Sequence, residues 1–221
     1  NGIPVYTLAS VVDDGEMGVT DVIRGHDHLP NQAVQMQLLE ALGFDQPKTA
    51  HLPLLMGMDG KPLSKRLDSN AVAGLRRLGF EPQAVTSLLL CLGQGDAPEP
   101  ITTMDALVEA FDLGNFGRAT PKFALDDMKT MNGRVLHAMP YEAVAGRLTE
   151  MGIEGGAAFW EVARHNVTFL TDAKEWWEVV KGPIEPQIES DDVAFMMEAS
   201  GLFPDGEVTG ETWDIWTKEV K

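Results

Sequence analysis

Val19-Thr20-Asp21-Val22-Ile23-Arg24 and His51-Leu52-Pro53-Leu54-Leu55-Met56 are two apolar runs of strand length, and what lies between them decides the fold. Between them, residues 31–42 are amphipathic at helical spacing, with Val34, Leu38, Leu39 and Leu42 on one face. Gly43 supplies a C-terminal stop for that helix. Upstream, Pro4-Val5-Tyr6-Thr7-Leu8 reads as another strand. The alternation of strand, helix and strand predicts a parallel sheet, with ligands at the carboxyl ends of its strands.

After Lys65 the pattern turns to helices alone. Ala71, Val72, Leu75 and Leu78 line one face of a first helix, and Val85, Leu88, Leu89 and Leu92 one face of a second. Thr102 with Asp105 reads as a capping box for the helix through Val108 and Phe111. Further helices are expected over 125–137, 141–151, 157–169, 171–181, 190–199 and from 209 onward. The fold class is therefore α/β followed by a mostly α region. The divisions expected are 1–68, 69–138 and 139–221.

The 221 residues carry 17 basic and 34 acidic side chains, a net charge of −17. A nucleic-acid binder usually displays a basic stripe. Any such contact here must be local, against an acidic background. The single cysteine, Cys91, lies in the apolar run Leu88-Leu89-Leu90-Cys91-Leu92 and reads as a small buried hydrophobe. One cysteine cannot make an internal disulfide, so a reducing, cytoplasmic setting is expected. No apolar run is long enough to span a bilayer, so no membrane partner is expected. The chain starts at Asn1 directly in structured sequence, as a piece of something longer would. The tryptophans at 176, 177, 213 and 216 fall at helical spacing and read as packing.

The loop after the last strand, Gly57-Met58-Asp59-Gly60-Lys61-Pro62-Leu63-Ser64-Lys65-Arg66, carries the ammonium of Lys65 on a glycine-bearing segment. A loop cation of this kind can follow charge as it moves through a triphosphate. Gly25-His26-Asp27-His28 raises a metal site, but two imidazoles and one carboxylate so close together seldom close one, and metal is rejected. Asp13 and Asp14 are adjacent and point to different faces, which argues against a shared-proton dyad.

Four features occur in order: Tyr6-Thr7-Leu8-Ala9-Ser10-Val11-Val12-Asp13-Asp14, then Ile23-Arg24-Gly25-His26-Asp27-His28, then His51-Leu52-Pro53-Leu54-Leu55, then Leu63-Ser64-Lys65-Arg66. Together with GLRRLGFEPQAVTSLLLCLG, FDLGNFGRATPKF and MNGRVLHAM they resemble the glutamyl-tRNA synthetase family of class I aminoacyl-tRNA synthetases. The resemblance implies the C-terminal half of a Rossmann-type catalytic domain, then a helical stem-contact region and the start of a helical anticodon-binding region. It implies ATP-dependent activation of glutamate to glutamyl-adenylate and transfer to tRNA. The implied cofactors are ATP and Mg2+. The implied partners are glutamate and tRNA(Glu), whether tRNA(Gln) is a second acceptor being left open by these residues, and the implied state is a monomer.

The resemblance also assigns residues. Lys65 is the expected catalytic cation, binding the ATP phosphates with Ser64 and Lys61 beside it. Asp27, Leu54 and Leu55 would line the ATP pocket. Tyr6 and Arg24 would hold glutamate, the guanidinium taking its carboxylate through paired hydrogen bonds. Arg118, Lys129 and Arg134 would meet tRNA phosphates. The sequence departs from the family pattern at three places: Pro62 stands where a lysine is usual, His26 where an acid is usual, and Ser10 where a side-chain amide occurs. The family's other ATP signature, a HIGH-type motif, does not occur in these residues, so the 221-residue chain alone is expected to be inactive. Two other readings stand beside this one: a paralogue that glutamylates a tRNA base, and a non-catalytic helical RNA-binding or interaction module.

Overall fold

Strand β1 (Asp21–Gly25) and strand β2 (Lys48–Leu52) pair in parallel, from Asp21 opposite Lys48 to Gly25 opposite Leu52. This computed structural model describes residues 4–63, 71–95, 99–183, 189–190, 192–204, 206, 208–209 and 211–220. The crossover between the two strands is helix α2 (Leu29–Leu42), entered through Pro30 and closed by Gly43 at φ 75°. Proline suits a first helical turn, where its missing N–H costs nothing, and glycine suits the left-handed exit. Strand β2 begins before the expected 51–56 run and stops at Leu52. Pro53 follows it and has no N–H to continue the ladder.

Residues 4–8 do not form a strand. Helix α1 (Tyr6–Glu16) starts there, with Leu8 and Ala9 donating their N–H groups to the Val5 carbonyl. Five apolar-rich residues cannot distinguish the two periods. The longer register decides it, because a helix carries Val11 to full burial. Gln35 of α2 is buried and donates to Ser10 Oγ at 2.9 Å, tying the two helices together. Gly15 lies so close to the Phe44 ring that any Cβ there would collide with it. On α2 only Leu39 and Gln35 are buried, whereas Val34 and Leu42 of the expected apolar face stand exposed.

Strand β3 (Met56–Gly57) pairs in parallel with strand β4 (Lys122–Phe123), and Met56 N–H donates to the Pro121 carbonyl at 3.0 Å. Gly57 is thus tied to the segment that enters the helical region. The helices that follow are α3 (Val72–Arg77), α4 (Pro82–Gln94), α5 (Met104–Ala110), α6 (Leu125–Ala138), α7 (Tyr141–Glu150), α8 (Gly156–Ala163) and α9 (Ala173–Lys181). Their shared core includes Leu75, Phe80, Leu88, Cys91, Met128, Met131, Val135, Leu148 and Trp160. Cys91 is buried there as expected. The Trp160 indole is fully buried and donates to the Met139 carbonyl at 2.9 Å.

Other expectations shift by local chemistry. The cap of α5 is Thr103, whose hydroxyl accepts from Ala106 N–H, rather than Thr102. The single helix expected over 157–169 ends at Ala163 and tightens into a 3-10 turn over Arg164–Asn166, after which the Asp172 carboxylate accepts the N–H groups of Thr168 and Phe169 and caps the next helical run. Ala71, Val72 and Leu78 of α3, and Leu89 of α4, are exposed, while Ala84 and Ser87 are buried instead.

The chain divides into two compact units, Asn1–Trp177 and Glu178–Lys221. The second contains helix α10 (Val193–Gly201) and helix α11 (Thr212–Glu219). The Trp216 indole donates to the Ala199 carbonyl at 2.6 Å and packs edge-on against Phe203 and Trp213. Among the described residues no helix is long and apolar enough to cross a membrane.

Candidate active site

Parallel pairing brings Arg24 and His51 side by side near the carboxyl ends of β1 and β2, because register partners project from the same face. Arg24 Nε–H donates to His51 Nε2 at 3.3 Å. Of the described residues its hydrogen-bond partner is this imidazole, not Asp21 or Asp27. His51 is held below the usual 6.5, first by burial and then by the charges of Arg24, His26 and His28. The imidazole is therefore neutral at physiological pH and free to accept.

At Gly25 the strand ends and the chain winds into a 3-10 turn, His26–His28, that carries Asp27. Gly25 is a close approach. A Cβ there would lie 2.5 Å from Asp27 Oδ1 and 3.0 Å from Leu54 Cδ2. Gly25→Ala is thus expected to displace two side chains of the site at once. If Asp27 and Leu54 line the ATP pocket, the ATP KM should rise about ten- to a hundredfold with little change in Tm. Steady-state kinetics with a melting curve check this, and an unchanged ATP KM would remove Asp27 from the site.

His26, Asp27, His51, Leu54, Met56 and Arg118 line one cleft of about 740 Å³. Its lining mixes apolar Leu54 and Met56 with polar Asp27, His26, His51 and Arg118. Arg24 lines a much smaller space beside it, with Asp14, Gln32 and Gln35. Tyr6 is exposed and its ring lies 5.7 Å from that of His28. Tyr6, expected on a strand, therefore stands beside the 3-10 turn from the first turn of α1 and lines neither of these two spaces. Among the described residues no group of three His, Cys, Asp or Glu could hold a metal ion.

The remaining expected residues are spread more widely. Leu55 does not line the cleft and packs against the helical core. Lys61 is exposed on a turn closed by Gly57 N–H donating to the Lys61 carbonyl at 2.8 Å and by Lys61 N–H donating to Asp59 Oδ1 at 3.0 Å. Ser64 and Lys65 lie outside the described residues. Lys129 pairs with Asp126 at 3.1 Å on the surface of α6. Arg134 is half-buried at a second cavity of about 330 Å³ between α4 and α6 and does not line the cleft. Of the three basic residues expected at tRNA, only Arg118 reaches the cleft. Sequence reading missed the bond from Arg24 to His51. The signal for it was the strand register, which required the start of β2.

Residues 1–130 match the family model for tRNA synthetases class I (E and Q), catalytic domain. The chain belongs to this family. Over its whole length this E/Q-type synthetase chain is 45% identical to glutamate–tRNA ligase 1 of Ruegeria pomeroyi, of which it covers 50%. It is also 45% identical to glutamate–tRNA ligase 1 of Roseobacter denitrificans, of which it covers 51%. The chain spans about half the length of the curated relatives it matches. A glutamate tRNA ligase of Elizabethkingia meningosepticum, solved with its amino acid, superposes with a TM-score of 0.70 at 26% identity, covering 99% of this chain and 51% of that one. The glutamate-tRNA synthetase of Elizabethkingia anophelis gives 0.71 at 25% identity, over 99% and 50%. The short parallel strands followed by helices have the architecture of a partial Rossmann-type domain and its helical continuation, as expected of an E/Q synthetase.

Proposed function

We propose that this chain is the part of a glutamate–tRNA ligase that holds the amino acid and one side of the ATP site. The observation that supports this best is the placement of Arg24 near the carboxyl end of a parallel strand, beside a cleft carrying Asp27 and Leu54. That end of a doubly wound sheet is where ligands bind. In this reading Arg24 and Tyr6 hold glutamate, whose carboxylate attacks the α-phosphate of ATP. Glutamyl-adenylate and pyrophosphate form, and the acyl group passes to the terminal ribose of tRNA. Asp27 and Leu54 face the nucleotide, with Leu55 behind them, and Arg118 faces the acceptor strand.

Lys65, with Ser64 and Lys61 in the same loop, supplies positive charge to the phosphates as the transition state forms. Mg2+ would arrive on the triphosphate rather than in a protein cage, given the donor set among the described residues. Residues 1–68 form the second half of the catalytic domain, 69–138 the stem-contact region with Lys129 and Arg134 facing tRNA, and 139–221 the beginning of the anticodon-binding helices. The enzyme acts in the cytoplasm as a monomer.

The test is pyrophosphate exchange with glutamate, ATP and tRNA. The complete natural polypeptide should catalyse it, and the 221-residue chain alone should not, because it carries no HIGH-type signature. Glutamate-independent behaviour of the complete polypeptide would overturn the substrate assignment. Robust exchange by the 221 residues would overturn the division of labour.

A further inference from the structure

We propose that His51 is the positioning residue of Arg24: its Nε2 accepts the Arg24 Nε–H and leaves the two Nη groups to grip the substrate carboxylate. This rests on the glutamate reading of Arg24. A guanidinium offers two forks, one along the Nε–Nη edge and one at the Nη–Nη end. With Nε committed to His51 at 3.3 Å, the end fork remains. The pairing is fixed by the backbone, since Arg24 and His51 are register partners in β1 and β2.

The choice of imidazole has a physical consequence. A carboxylate at position 51 would also orient the guanidinium, but would neutralise it and compete with the substrate. A neutral imidazole accepts the hydrogen bond and leaves the positive charge intact for glutamate. The groups around His51 favour that state. Arg24 comes from β1, His26 and His28 come from the 3-10 turn, and Arg118 lines the same cleft. Asp27 is the opposing charge on the turn. Because the folded value lies below the unfolded 6.5, the unfolded chain takes up the proton first as the pH falls. The contribution of His51 to stability is complete above about 6.5 and is lost as the pH drops through the folded value. The same protonation removes the acceptor from Arg24.

The experiment uses the complete natural polypeptide with 15N-labelled histidine, His51 being assigned by loss of its signal in His51→Gln. Long-range proton–nitrogen spectra should show neutral His51 carrying its proton on Nδ1 and titrating below 6.5. Kinetically, His51→Ala should raise the glutamate KM about tenfold, the worth of one hydrogen bond, and by more than the ATP KM, whose cleft His51 also lines. His51→Gln should restore it, because the amide oxygen can accept from Nε. Circular dichroism confirms that each variant is folded. A proton on Nε2, or a glutamate KM indifferent to His51→Ala where Arg24→Ala is severe, overturns the positioning role alone. Indifference to Arg24→Ala itself overturns the glutamate reading, and the proposal with it.

Discussion

Arg24→Ala in the complete natural polypeptide is expected to raise the glutamate KM by about a hundredfold, the cost of removing one partner from a desolvated, hydrogen-bonded charge pair. The ATP KM should move little, since Arg24 does not line the cleft that carries Asp27 and Leu54. Arg24→Lys tests the geometry rather than the charge. An ammonium has no planar fork, and it has no second nitrogen to hold both His51 and a carboxylate. It should recover only a small part of the loss, whereas a charge-only role would be largely restored. The discriminating measurement is glutamate-dependent pyrophosphate exchange over a range of both substrates. A rise confined to the ATP KM would move Arg24 to the nucleotide side and leave the carboxylate without a receptor.

What the sequence made legible was order, and what it left open was cover. The strand–helix–strand run around Arg24 and the motifs ending at Lys65 were readable, because the chemistry there is local and the turn residues punctuate it. Gly43 and Pro30 delimit α2 by backbone preferences that hold in any context. Apolar periodicity, by contrast, identifies a stripe without naming what buries it. Val34, Leu42 and Val72 belong to regular stripes, yet they stand about half or more exposed. Gln35 and Ser87 were polar and are buried, each with a specific partner: Ser10 for the first, and Ile101 backbone groups for the second. Residues 4–8 were misread because a short apolar run suits either period, and the burial of Val11 settled the matter only in three dimensions. The Arg24–His51 contact needed the register of two strands twenty-seven residues apart along the chain. Composition carries no trace of register.

Asn132→Ala is expected to destabilise the first unit by about 2–4 kcal/mol, because it orphans two backbone groups, each worth roughly 1–3 kcal/mol when buried. Asn132 lies on α6 with no exposed surface. Its Oδ1 accepts the Glu81 N–H at 2.7 Å, and its Nδ2 donates to the Thr168 carbonyl at 2.6 Å. One amide therefore joins the start of α4 to the segment that follows α8. Asn132→Asp keeps the acceptor for Glu81 N–H but loses the donor for Thr168. It also sets a carboxylate against that carbonyl, so it should be no better than alanine. The neighbouring ion pair offers the comparison. Arg147 Nη1 donates to both Glu81 oxygens, at 2.7 and 2.9 Å, and the Glu81 side chain is only 5% exposed. The Arg147 side chain, however, is 43% exposed, so water can enter where it is removed. Arg147→Ala should therefore cost less than the 3–5 kcal/mol of a fully buried pair, about 1–3 kcal/mol. Denaturant unfolding of both variants ranks them. If Asn132→Ala proved milder than Arg147→Ala, the charge pair rather than the amide would be the main tie between α4 and the helices it packs on.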